Sequence, residues 1–264
     1  MTQRLLIGAA AVIVAAIVLA QVPDDVRNDA KSTSNGDAAT SSPEVAAVRA
    51  ALKPLQVVVG QWRGNTFREN VVHESSWAWD HKTDPTRPAL VMAAAKNPFF
   101  REARVTFDPE SEKYVLVLTD PAGQSRRLEG TFSEPPRDVP GDDGPALQRT
   151  YELKLEQTEP KAGEQWRVVL DQQENNRFLV ELARRRGRAA FRGFDTVSGQ
   201  REGTRFALSD EGYGEKTCII SGGLGTIAVS HAGRTYYVCC TGCQAAFEDD
   251  PEKWIAEFRK NKAK

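Results

Sequence analysis

The chain has 264 residues, of which 40% are hydrophobic and 27% are charged. These values are close to globular averages and exclude a wholly disordered chain, a collagen-like chain and a polytopic membrane protein. Its 35 Lys and Arg residues balance 36 Asp and Glu residues, for a net charge of -1, so nucleic acid is not expected as a partner. A chain of this length forms one large domain or two smaller ones.

The N-terminus has the pattern of an export signal. Residues 1–4 are short and basic, and residues 5–20 are an uninterrupted apolar run, which correspond to the n-region and h-region of a secretory signal. We therefore expect residues 1–20 to be a cleaved signal peptide or an uncleaved signal anchor, and the protein to be periplasmic or secreted. Contact with a membrane is expected only through an uncleaved N-terminal segment.

A flexible spacer and a short helix are predicted next. Residues 21–42 are rich in Asp, Asn, Ser, Thr and Ala, and with so few large apolar side chains they cannot offset the entropy lost on ordering. They are predicted to be a disordered linker. Ser42 is a candidate N-cap and Pro43 a first helical residue, which predicts a helix that ends near Pro54.

Residues 43–210 are predicted to form a β-rich domain. From Val57 to about Phe206 the apolar residues alternate, and about nine short segments with strand character follow one another between turn residues, which is typical of an all-β barrel or sandwich. The polar, Pro- and Gly-rich stretch 135–145 predicts an exposed loop. The clearest predicted strands are 72–80, 89–96, 113–120 and 177–185.

The start of the first predicted strand carries a resemblance. Gly60-Gln61-Trp62 resembles the G-x-W motif of lipocalin-like barrels, in which the Trp packs across the barrel floor and meets an Arg from a late strand. The resemblance implies an antiparallel β-barrel and gives Arg192 the role of that Arg. A barrel of this size either holds one small apolar ligand or is filled by its own side chains.

Two histidines in the predicted barrel are candidates for a ligand pocket. Strand alternation places His73 on one face with Trp77 and Trp79, and His81 joins them only if the strand extends that far. A haem or small-ligand site is one interpretation. Surface or hydrogen-bonded histidines are the other, because neither residue has a fixed acidic or cysteine partner.

All four cysteines lie near the C-terminus, within residues 211–264. Cys218 is separated by 20 residues from Cys239, and three residues separate Cys239 from Cys243. The residues between predict a hairpin with its turn at 231–233, and after Cys243 the apolar period becomes helical, with Asp250 as the N-cap of a second helix. The hairpin therefore delivers the last cysteine pair to the start of a helix.

This layout resembles the TRASH and YHS-type metal-binding modules. The matching residues are Cys218, residues 233–237 (Gly-Arg-Thr-Tyr-Tyr), Cys239, Cys243, Phe247 and residues 250–253 (Asp-Pro-Glu-Lys). The resemblance covers the last fifth of the chain and implies a small treble-clef-like α+β module in which Cys218, Cys239 and Cys243 are metal thiolates. Cys240 departs from the family pattern.

The residue types suit a soft metal ion. Thiolate sulfur binds Zn²⁺, Cu(I) and other soft ions, and a tetrahedral site needs four donors on one point. The fourth donor is Cys240 or His231, or the fourth position is vacant; Cys240 is alternatively a redox-active neighbour or a bystander. Because an exported protein meets an oxidising compartment, one or two disulfides are the competing interpretation.

The sequence as a whole therefore predicts a mainly β chain, a lipocalin-like antiparallel barrel followed by the Cys module. We expect an exported metal-binding protein with a thiolate site for Zn or a Cu-type heavy metal at Cys218, Cys239, Cys243 and Cys240, serving sensing, trafficking or structural tethering. The alternative is a small-molecule or haem-handling barrel enzyme with a redox or structural Cys accessory. A binding role is favoured because the sequence offers no nucleophile or acid–base pair at a recognisable spacing.

Overall fold

A computed structural model of the chain describes residues 42–141, 144–160, 162–202 and 216–262. These residues belong to one compact unit, Asn35–Lys264. The predicted signal, residues 1–20, lies outside the described residues, as does all of the predicted linker except Ser42. Within the described ranges, no helix combines the length and apolar character needed to cross a membrane.

The first helix, α1 (Pro43–Leu52), begins where the sequence predicts. Ser42 is the N-cap, and its side-chain oxygen accepts the Val45 N–H at 3.2 Å. The helix buries Val45, Val48 and Leu52, whose spacing places them on one helical face. Where the sequence predicts a stop near Pro54, the chain continues as a 3₁₀ helix (Lys53–Val58).

Ten antiparallel strands form a closed barrel in which each strand pairs with its neighbours in sequence and β1 pairs with β10. The strands are β-branched or alternating segments bounded by turns, which accounts for their formation one after another. They are β1 (Gly60–Asn65), β2 (Val72–Asp80), β3 (Ala89–Ala95), β4 (Glu102–Asp108), β5 (Lys113–Thr119), β6 (Ser125–Gly141), β7 (Gly144–Gln157), β8 (Glu164–Glu174), β9 (Arg177–Arg186) and β10 (Arg192–Arg201).

Strand β2 shows the alternation most clearly. His73, Ser75, Trp77 and Trp79 are buried, whereas the residues between them are exposed or half-buried. Because successive side chains of a strand point to opposite faces, these four share the inner face, as the sequence predicts for the histidine and the two tryptophans. This strand also carries the barrel's contact with the cysteines.

The predicted loop at residues 135–145 is wrong for most of its length. Strand β6 runs to Gly141 and β7 begins at Gly144, so the Pro-rich stretch forms the two arms of a long hairpin. The ladder is irregular there, with register shifts after Phe132 and Glu134. Proline has no backbone N–H to donate to the neighbouring strand. It fits in an extended arm at a bulge, because a bulged residue is not paired in the ladder.

The predicted partner of Trp62 is also wrong. Arg192 is exposed at the start of β10, while Arg201, at the end of the same strand, lies over the Trp62 ring at 4.4 Å. The Arg201 guanidinium donates to the backbone oxygens of Val57, Val59 and Asn175. The arginine therefore ties the 3₁₀ helix and the β8–β9 turn to the end of the barrel where β1 and β10 meet.

We expect Arg201→Met to lower the free energy of unfolding by about 2–3 kcal/mol, because it leaves part-buried carbonyl oxygens without their charged donor. Arg192→Met is the matched control, since it removes an exposed arginine from the same strand and should change stability by no more than about 0.5 kcal/mol. Urea unfolding followed by tryptophan fluorescence measures both. Equal effects of the two substitutions would contradict this assignment.

The C-terminal residues form a small α+β region. A two-stranded hairpin, β11 (Ile227–His231) and β12 (Arg234–Val238), is followed by helices α2 (Thr241–Asp249) and α3 (Pro251–Lys262). The Asp250 carboxylate accepts the Lys253 N–H at 3.1 Å, which is the predicted N-cap contact. The expected fold class, a mainly β closed antiparallel barrel followed by a small region that carries the cysteines, is confirmed.

Candidate metal centre

Cys218 lies in a tight turn that is hydrogen-bonded to the hairpin. The Ser221 N–H donates to the Cys218 sulfur at 3.4 Å, and the Gly222 N–H donates to the Cys218 carbonyl oxygen at 2.9 Å. Gly222 has a positive φ of 72°, a conformation that glycine adopts without strain. The Ile219 N–H donates to the Tyr237 carbonyl oxygen at 2.9 Å, which brings the turn alongside β12.

The other cysteines lie where β12 passes into α2. Cys239 directly follows the strand, Cys240 is the N-cap residue of α2, and Cys243 lies in the first turn of that helix. Unpaired N–H groups and the positive end of the helix dipole favour a thiolate at such a position. Cys218, Cys240 and Cys243 are buried, and Cys239 is half-buried.

The sulfurs converge as a metal site requires. The Sγ atoms of Cys218, Cys239 and Cys243 all lie within 4.8 Å of one another, and those of Cys239 and Cys243 are 3.6 Å apart. A tetrahedron with metal–sulfur bonds of about 2.3 Å has an edge of about 3.8 Å. The Cys239–Cys243 distance therefore matches the spacing of two thiolates around one ion, and the widest pair needs to close by at most about 1 Å to reach it. All of these distances are well beyond the ~2.05 Å of a disulfide bond.

The four thiols form a hydrogen-bonded network. Hydrogen bonds from Cys239 and Cys243 lower the pKa of the Cys218 thiol to about 2, and they lower that of Cys240 to about 3. The pKa values of Cys239 and Cys243 are raised, first by the hydrogen bonds to Cys218. The thiols therefore titrate as one coupled cluster, and a bound cation would replace protons that the cluster holds.

The cluster lies directly against strand β2 of the barrel. The backbone N–H of Trp79 donates to the Cys240 sulfur at 3.4 Å. A Cβ added at Gly242 would lie 1.7 Å from the Trp79 carbonyl oxygen, so only glycine allows α2 to approach the strand this closely. An ion pair of 2.7 Å joins Lys82 to Asp249 at the exposed edge of this contact.

His81 extends from the end of β2 into the same contact. Its ring stacks on Trp79 with centroids 5.3 Å apart and lies 5.8 Å from the Trp254 ring of α3. His81 is buried, and its Nε2 lies 3.7 Å from the Cys243 sulfur. Burial lowers the pKa of this imidazole to about 4, so the ring is neutral at physiological pH and carries a lone pair on one nitrogen.

The structure brings together three of the four predicted cysteine ligands in one mutual group, and Cys240 lies beside them with its sulfur 3.8 Å from that of Cys239. His231, the alternative fourth donor, is at the hairpin turn, where its ring centroid lies 6.5 Å from that of Phe247. It does not belong to the sulfur group among the described residues. Ligation by these residues stays a prediction.

The two barrel histidines have different surroundings. The Nε2–H of His73 donates to the Ser198 carbonyl oxygen at 3.1 Å, and burial lowers the pKa of the ring. His73 is therefore a hydrogen-bonded histidine, as one of the two interpretations of the sequence expects. His81 instead faces the cysteines. The sequence does not indicate this pairing directly, because the partner lies 162 residues away. The available signal is the alternation through Trp77 and Trp79 to His81.

Ser221 was also missed. Its hydroxyl lies 3.3 Å from the Cys239 sulfur, and its backbone N–H contacts Cys218. The two residues form a Cys-x-x-Ser segment, with the spacing of the Cys-x-x-Cys pairs common in zinc sites. That spacing was the signal in the sequence that would have found it.

Side chains from the barrel strands and the 3₁₀ helix line a cavity of about 10 Å³, which is roughly the space that one water molecule needs. Sites for drug-sized ligands are typically about 300–1,000 Å³, so this conformation has no room for a haem at this cavity. It is lined by Leu55, Val58, Trp77, Leu90, Val105, Tyr151, Leu170 and Phe178.

Comparisons with known proteins do not name a family. No family model matches the chain, and no curated protein matches it. Among solved structures, the crystal structure of Rv2717c from M. tuberculosis is similar over 58% of this chain and 97% of that chain, with 17% sequence identity and a TM-score of 0.38. The candidate metal centre therefore rests on its own geometry.

Proposed function

We propose that this chain is an exported metal-binding protein whose thiolate site holds one soft cation, Zn²⁺ or a Cu-type ion. The observation that carries the proposal is the convergence of three sulfurs, within 4.8 Å of one another, from a turn at Cys218 and from the strand–helix junction at Cys239 and Cys243. Sulfurs so far apart in sequence gather when a metal or disulfides hold them.

The family resemblance supports the same conclusion. Cys218, Cys239, Cys243 and the residues between them are similar to TRASH and YHS-type modules, and Gly60-Gln61-Trp62 is similar to lipocalin-like barrels. Sulfur donors select Zn²⁺, Cu(I) and other soft ions over Mg²⁺ and Ca²⁺, which prefer oxygen. The apolar run at residues 5–20 supports export.

The position of the site supports a role that joins two parts of the chain. The cysteines lie between the hairpin, α2 and strand β2, and the contact is buried on the barrel side at Trp79 and His81. A small region with few core residues needs an additional constraint to be stable. We assign the metal a structural role, in which it tethers the cysteine region to the barrel. A change in metal occupancy then serves sensing or trafficking.

Elemental analysis of the full chain purified without chelator tests this function. The wild-type protein should carry about one Zn or Cu-type ion per chain, and Cys218→Ser should lose it because the turn then contributes no thiolate. Ser230→Ala, on the exposed face of β11, is the control and should retain the metal. A metal-free wild-type protein whose thiols do not react under denaturing, non-reducing conditions would overturn the proposal in favour of disulfides.

A further inference from the structure

A tetrahedral ion at Cys218, Cys239 and Cys243 needs a fourth donor, and three side chains lie close enough to supply it. They are Ser221, Cys240 and His81, each within 4 Å of one of the three sulfurs. The Ser221 hydroxyl is the weakest of these, because a neutral alcohol is a poor ligand beside thiolates and its oxygen already accepts the Gly223 N–H at 3.3 Å.

Aromatic packing holds the His81 ring beside the three cysteines. Its ring lies between Trp79 of the barrel and Trp254 of α3, and the side chain is only 7% exposed. Its Nδ1 finds no hydrogen-bond partner within the described part of the chain, so stacking rather than a hydrogen bond at that atom orients the ring. The orientation directs Nε2 toward the Cys243 sulfur.

The distance fits ligation of a common ion. Nε2 of His81 is 3.7 Å from Sγ of Cys243. An imidazole nitrogen at about 2.0–2.1 Å and a thiolate at about 2.3 Å from one tetrahedral Zn²⁺ would be separated by about 3.5 Å. The separation of this pair is therefore within about 0.2 Å of that expected for two ligands of one zinc ion.

Charge favours His81 over Cys240. Four thiolates around a divalent ion leave two net negative charges, whereas three thiolates and a neutral imidazole leave one, and a buried charge is costly unless it is compensated. The nearby guanidinium of Arg49 lies over Trp254 and is already paired with Glu257 at 3.3 Å.

We propose that Nε2 of His81 is the fourth metal donor, so that the barrel itself contributes a ligand and the ion links strand β2 to the cysteine region. The proposal rests on the proposed function, because it requires a metal at the three cysteines. It gives the ion a Cys₃His coordination, in which metal–ligand bonds connect the ion to both the barrel and the cysteine region. Cys240 is then a neighbour of the site and not a ligand.

X-ray absorption spectroscopy at the zinc edge of the zinc-loaded full chain tests the proposal. We expect three sulfurs at about 2.3 Å and one nitrogen at about 2.0–2.1 Å, with the multiple scattering of an imidazole ring. Cys240→Ser should leave this spectrum unchanged. His81→Phe, which keeps an aromatic ring between the two tryptophans, should remove the imidazole scattering and weaken zinc binding roughly tenfold or more.

The outcomes separate the two proposals. A wild-type spectrum with four sulfurs and no imidazole, or loss of one sulfur in Cys240→Ser, overturns the role of His81 and leaves the metal-binding function intact. A wild-type chain that takes up neither zinc nor Cu(I) overturns the function itself. Should His81→Phe fail to fold, the wild-type and Cys240→Ser spectra decide the question without it.

Discussion

Cys243→Ser is expected to weaken zinc binding by roughly two orders of magnitude. The apparent binding free energy of a structural zinc site is about 10–16 kcal/mol at pH 7, so the loss of one of four ligands removes about 3 kcal/mol, or about a hundredfold in Kd. Cys243 is the position to test because its sulfur is fully buried and contacts both Cys239 and His81.

The measurement is a competition titration of zinc against a chromophoric chelator with the full chain. Ser230→Ala is the matched control, since it makes a change of similar size on the exposed face of the hairpin and should bind zinc as the wild type does. Unchanged affinity in Cys243→Ser, with the variant folded by circular dichroism, would remove Cys243 from the ligand set.

Gly242→Ala is expected to destabilise the chain by about 3 kcal/mol or more, at the upper end of the range for overpacked sites. The added methyl would lie 1.7 Å from the Trp79 carbonyl oxygen, and backbone on both sides leaves no flexible side chain to move away. Helix α2 must then separate from β2, which also lengthens the hydrogen bond between the Trp79 N–H and the Cys240 sulfur.

Urea unfolding and the zinc titration measure the two consequences together. Thr241→Ala, at the adjacent and exposed residue of α2, is the control and should change stability by no more than about 0.5 kcal/mol. Zinc affinity should fall in Gly242→Ala, because the cysteines of α2 move with the helix. A Gly242→Ala chain as stable as the Thr241→Ala control would mean that the close contact of α2 with the barrel does not form.

Sequence alone predicted the parts of the fold that depend on local pattern. Strand β2 was predicted with its observed bounds, because His73, Trp77 and Trp79 lie on one face when side chains alternate along a strand. The caps at Ser42 and Asp250 were also predicted, because a capping contact reaches only three residues along the chain. The boundaries of the predicted domains stay a prediction.

Contacts between distant segments could not be predicted in the same way. Arg192 and Arg201 both fit a late strand, and only the closure of β1 on β10 shows which of them lies over Trp62. Pro135 and Pro140 indicated a loop, whereas pairing with β7 holds that stretch extended. The composition of a segment does not show how the two strands of a long hairpin pair with each other.

The candidate site, like the fold, could be predicted only in part. The spacing of Cys218, Cys239 and Cys243 predicted that they would meet, and the three sulfurs form one group. The approach of His81 depends on how α2 lies against β2, which is set by Gly242 and the Trp79 backbone. Neither feature belongs to a motif, so the strand alternation indicated the face on which His81 lies but not its cysteine partner.

Native mass spectrometry of the intact chain, purified without chelator or reductant, tests the central claim most directly. The account predicts one species whose mass exceeds that of the fully reduced chain by a single soft metal ion, less the thiol protons that the ion displaces. After the metal is removed by acid, all four cysteines should be free thiols. A metal-free species that lacks the thiol hydrogens of one or two disulfides would contradict it.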